Sequence, residues 1–76
     1  MKKYEPTPKA VALREYAGHV TRSLKEKRAG ADELTRFYLR GLTDAAAQMS
    51  KALGATDAEL AVIKNIARIA VAQGAE

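Results

Sequence analysis

Three glycines, Gly30, Gly54 and Gly74, each close a stretch in which apolar residues recur every three or four positions. That is where a helix places its left-handed stop residue, a conformation glycine enters without steric penalty. Upstream of each stretch stands a residue able to cap a helix start: Thr7 with Pro8 at the first helical position, Asp32 after Gly30-Ala31, and Thr56 in Thr56-Asp57-Ala58-Glu59. The last is a capping box, in which hydroxyl and carboxylate each satisfy a backbone N–H that the helix leaves unpaired. The spacing therefore predicts three helices, roughly 8–29, 32–53 and 57–73, and the short connections between them make neighbours antiparallel. No stretch alternates β-branched or aromatic with polar residues as a strand would, and alanine, the best helix former, is abundant. The expected fold class is all-α: a compact three-helix bundle forming one domain over 7–76, with residues 1–6 as a mobile N-terminal arm.

The helices differ in how much apolar surface they carry. Taken at about 100° per residue, the first has one narrow seam of Ala10, Leu13, Ala17, Val20 and Leu24 with Tyr16 beside it. The second has a broader face of Leu34, Tyr38, Leu42, Ala45, Met49, Ala52 and Leu53, with Leu39 and Ala46 at one edge and Phe37 at the other. Because this spacing persists across Gly41, a continuous second helix is expected, with Phe37 packed over that glycine. In the third, Leu60, Val62, Ile63, Ile66, Ile69 and Val71 cover an arc of roughly 200°, wider than one neighbour covers. Apolar stripes are generally core, which would make this helix the central element of the bundle. Alternatively, Val62, Ile66 and Ile69 form an interface, with Phe37 a lesser candidate for the same role. The two readings are compatible, because a 76-residue chain has a marginal core and a homodimer is a reasonable expectation.

Most constellations that carry chemistry are missing. With no cysteine there is no disulfide framework, thiolate metal site or thiol nucleophile. The five glycines are too dispersed to surround a phosphate. The single histidine, His19, lies one turn from Glu15 and one turn from Ser23, a row that predicts a partly exposed side chain with an i,i+4 contact. Asp32, Glu33, Asp57 and Glu59 sit at helix starts, where the exposed N–H groups favour negative charge, so their placement already has a structural reason. Inward positions are aliphatic, which leaves no converging carboxylates for a metal. No catalytic residues, metal, cofactor or small-molecule substrate are expected, and the chain reads as a non-enzyme. Lys2 and Lys3 resemble the start of a signal peptide, but Tyr4-Glu5-Pro6-Thr7-Pro8 stands where its apolar stretch should be. No apolar run approaches a membrane span, and the basic first helix lacks the Trp or Phe of a surface-seeking one, so no membrane partner and a cytoplasmic location are expected.

Charge is unevenly distributed. Residues 1–30 hold eight Lys and Arg against three Glu, a balance of +5, while 31–54 are neutral and 55–76 carry −1. Arg14, Arg22, Lys25 and Arg28 make the first helix a basic patch, suited to steering an acidic partner or to neutralising phosphate. Residues 46–65 resemble a helix-turn-helix unit, with Ser50, Gly54, Leu60 and Ile63 at the pattern's small, turn and aliphatic positions and Met49 and Leu53 completing its apolar side. That resemblance implies a DNA-binding transcriptional regulator contacting bases through Thr56 and Asn65. The would-be reading helix departs from it by opening with Asp57 and Glu59 and offering no arginine to the groove. The primary expectation is a small protein-binding regulator, inhibitor or adaptor, of the size and composition of those that phages and plasmids encode. It would act through Val62, Ile66 and Ile69 and the basic first helix, on another protein or on itself. Nucleic acid is the alternative partner.

Overall fold

A computed structural model describes residues 5–74 in three helices: α1, Pro8–Arg28; α2, Glu33–Ala52; and α3, Asp57–Ala72. Most of the expected arm lies outside the described residues; Glu5 and Pro6 are exposed and precede α1. All three caps form where the residue types predict. Thr7 Oγ1 accepts from the Ala10 N–H at 3.1 Å and Asp32 Oδ1 from the Thr35 N–H at 2.8 Å. At α3, Thr56 Oγ1 accepts from the Glu59 N–H at 3.1 Å while Glu59 Oε1 accepts from the Thr56 N–H at 2.9 Å. Each cap stabilises its helix by about 1 kcal/mol.

The stops are equally local. Gly54 lies at φ +104°, which lets the Ala55 N–H reach back to the Ser50 carbonyl at 2.9 Å and its own N–H to the Lys51 carbonyl at 3.0 Å. Gly30, at φ +85°, ends α1 with the same pair of bonds, from Ala31 to Glu26 and from Gly30 to Lys27. These are the two bonds of a Schellman motif, and they satisfy carbonyls that would otherwise be orphaned at the helix ends.

Lys9 Nζ meets Glu59 Oε2 at 3.0 Å, joining the starts of α1 and α3, and the Arg28 guanidinium donates to the Val71 carbonyl, joining their ends. The two helices therefore run parallel, and α2 runs back between them in chain order, so that successive helices are antiparallel. No helix among the described residues is long and apolar enough to cross a membrane.

The central element is α1, which corrects the expectation for α3. Both α2 and α3 pack on α1, whereas α2 and α3 meet only marginally. The core is built around Tyr16, Val20, Leu60 and Ala67, with Leu13, Leu24, Ala46, Ala47 and Ile63 against it. Tyr16 and Ala12, both buried, widen the narrow seam of α1 into a surface that accepts two neighbours. α3 then buries only Leu60, Ala67 and Val71.

A second correction concerns α2. Its broad apolar face was expected to point inward, yet Leu34, Tyr38, Met49 and Leu53 are exposed and the buried residues are Leu39 and Ser50. These belong to a strip of Leu39, Thr43, Ala46 and Ser50, lying about 120° round the helix from the broad face. The strip is narrow and partly polar, but it packs well. Thr43 Oγ1 donates to the Leu39 carbonyl at 2.9 Å and Ser50 Oγ to the Ala46 carbonyl at 2.8 Å, so neither hydroxyl is left unpaired. Small side chains in this strip let α2 approach α1 closely. The helix runs unbroken through Gly41, as its spacing implied, but Phe37 does not cover that glycine: a Cβ placed there would meet nothing within 4 Å.

Candidate functional site

On α3, Val62, Ile66 and Ile69 follow one another at spacings of four and three residues, which aligns them in a single stripe. The buried residues Leu60, Ala67 and Val71 occupy the far side of the helix. Each member of the stripe is more than half exposed, Ile66 at 62%. The sequence set core and interface as alternatives for these residues. The structure leaves these three residues outside the core, because only α1 covers α3 and one neighbour covers only one side.

The four residues of the expected basic patch differ in their surroundings on α1. Arg14 and Arg22 are exposed on the outer side of α1, and Lys25 is half-buried. Arg28 is tied to the carboxyl end of α3 through the Val71 carbonyl. α3 has no basic residue of its own in its last turn, so Arg28 supplies the positive charge that the helix dipole favours there. It is a structural cation.

Phe37, 70% exposed, stands at the rim of an open groove of about 750 Å³ between α1 and the first half of α2. Val20 and Leu24 line its floor, and Lys27, Arg36, Arg40 and Lys64 outnumber Glu33 and Asp44 around it. Burial pushes the Tyr16 phenol above its ordinary pKa, and the nearby Asp44 carboxylate adds to the shift. Hydrogen bonds from Thr56 together with Lys9 hold Glu59 below the usual carboxylate range, and the Thr35 N–H does the same for Asp32. These shifts report caps. His19 is half-buried, as expected, but bonds to neither Glu15 nor Ser23. Among the described residues no three His, Asp or Glu side chains gather into a group able to hold a metal ion.

Of the residues assigned to base contact, Asn65 is exposed, while the Thr56 hydroxyl is engaged in the capping box. A helix-turn-helix pair packs against itself, whereas here each member packs on α1. The broad face of α2, with Leu34, Tyr38 and Met49 exposed, is a surface that sequence reasoning placed in the core. The available signal was the smaller strip beside it, in which Ala46 and Ser50 permit close helix approach. The class defined by this fold is a small helical domain with two apolar faces uncovered. In comparisons with known families, curated proteins and solved structures, nothing matches the chain.

Proposed function

We propose that the chain is a small non-enzymatic protein-binding regulator, inhibitor or adaptor whose partner docks on the stripe formed by Val62, Ile66 and Ile69. The observation that carries this reading is the exposure of three large aliphatics in one line, on the side of α3 that α1 does not cover. Uncovered contiguous apolar surface on a small domain is characteristic of interaction sites. The complementary partner presents an apolar groove. Acidic residues around that groove would be attracted from a distance by Arg14 and Arg22, which speeds encounter more than it strengthens the final complex.

The test is a pull-down with the wild-type chain and with an Ile66→Asp, Ile69→Asp variant, at two salt concentrations and with and without nuclease. A stoichiometric protein retained by the wild type at high salt and lost by an equally helical variant supports the reading. If the variant unfolds, the stripe belongs to the core and the proposal fails. Recovery of nucleic acid that dissociates steeply as salt rises would favour the DNA-binding alternative, because phosphate contacts release counterions. Asn65 would then be the first residue to substitute.

A further inference from the structure

We infer that the groove over the second half of α1 binds a short acidic peptide segment of another protein, one that carries a large apolar side chain among its carboxylates. α2 and α3 both pack on α1 but meet each other only marginally, so the space between them stays open above α1. Val20 and Leu24 form its floor, and Phe37 stands at one rim. Each helix contributes a cation to it: Lys27 from α1, Arg36 and Arg40 from α2, and Lys64 from α3. All four are exposed, and among the described residues none makes an ion pair or a side-chain hydrogen bond.

The helix period sets their order. Counted round α2 from the buried Leu39 and Ser50, Thr43 comes first, then Arg36 and Arg40, and Glu33, Asp44 and Phe37 last. The two arginines, one turn apart, therefore lie closer to the floor than the two carboxylates. Glu33 and Asp44 stand further out, beyond either end of the arginine pair and about 16 Å apart along the helix axis.

Charge and shape together choose the occupant. Four cations around a concave site focus a positive potential on its interior and draw in carboxylates or phosphates. The aliphatic floor gives nothing to a bare anion but favours an apolar side chain. A nucleic-acid strand, charged along its whole length, would run across Glu33 at one end and Asp44 at the other. The stretch of about 16 Å between those carboxylates holds about five residues of extended peptide. A small organic acid would be covered on one side only, whereas small-molecule sites enclose most of their ligand. The groove is separate from the stripe on α3, because Ile66 lies about 160° round that helix from Lys64.

The experiment is selection of a displayed library of random short peptides on the full chain, followed by fluorescence polarisation with the enriched peptide, synthesised and labelled. Enriched sequences should hold two or more acidic residues within five positions together with one large apolar residue, and their affinity should fall as salt rises. Arg40→Glu and Lys64→Glu, checked for wild-type helicity by circular dichroism, should each weaken binding about tenfold or more. Phe37→Ala should weaken it severalfold. A lysine scan of the peptide's acidic positions should restore affinity for the Arg40→Glu chain at one of them, a rescue that folding defects cannot produce. A library that yields no binder, or binders without acidic residues, overturns the inference. So does affinity indifferent to Arg40→Glu and Lys64→Glu, or displacement of the peptide by an equal concentration of a short single-stranded oligonucleotide, which would give the groove to phosphate. A folded Ile66→Asp variant should bind the peptide as the wild type does, which leaves the partner-binding role of α3 to its own test; loss of the peptide in that variant would place it on the stripe and refute the groove.

Discussion

Truncating two leucines of one helix, Leu39→Ala and Leu34→Ala, decides which face of α2 is core. Leu39 is 1% exposed and packs in the interface with α1, so its truncation removes a fully buried side chain and leaves a cavity in a layer that cannot fully collapse. Transfer and cavity effects together put the loss at about 3 kcal/mol. Leu34 is 77% exposed, so only about a quarter of its side chain is covered, and its truncation should cost about 0.5 kcal/mol. A chain of this length has a total stability of roughly 4 to 11 kcal/mol, so the first change removes a large share and the second little. At about 4–8 °C per kcal/mol, Leu39→Ala should lower the thermal midpoint by roughly 12–24 °C and Leu34→Ala by only a few degrees. The assay is thermal unfolding by circular dichroism at low micromolar concentration, repeated at tenfold higher concentration. Equal losses for the two variants, independent of concentration, would refute the assignment and return the broad face of α2 to the core.

Two other predictions concern the packing strip and the caps. Ser50, completely buried, should tolerate alanine within about 1 kcal/mol, because only a back-bond to Ala46 is lost, whereas Ser50→Leu overpacks the α1–α2 interface and should cost roughly 1–3 kcal/mol in urea denaturation. Asp32 and Glu59 have folded pKa values below the unfolded ones, so the folded chain binds fewer protons. Their stabilisation is fully present above the ordinary carboxylate value near pH 4 and lost as pH falls through the lowered folded values. Asp32→Asn with Glu59→Gln retains oxygen acceptors at both caps but removes the titration, and should flatten the fall in thermal midpoint between about pH 5 and pH 3. An unchanged acid profile in that variant would place the acid sensitivity elsewhere.

Caps, stops and helix count were all legible in the sequence because each is settled within a few residues. Thr7, Asp32 and Thr56 bond to an N–H three positions on, and Gly30 and Gly54 admit the reversal that closes α1 and α2. Continuity through Gly41 was legible for a similar reason, since glycine weakens a helix interior without removing its hydrogen bonds. The candidate site was legible only as a set of residues. Val62, Ile66 and Ile69 stood out by spacing, but their exposure depends on how many neighbours α3 has. Arg28 looked equivalent to Arg14 and Arg22 until the end of α3 came beside it. The face that α2 buries was misread because hydrophobicity favours Leu34, Tyr38 and Met49, while close packing on α1 favours Leu39, Ala46 and Ser50. The amino-acid sequence by itself determined where the helices begin and end and how much apolar surface each carries. The tertiary structure alone decided which of that surface is covered, because burial depends on contacts between residues far apart in the chain, and one central helix cannot cover every apolar face its two neighbours present.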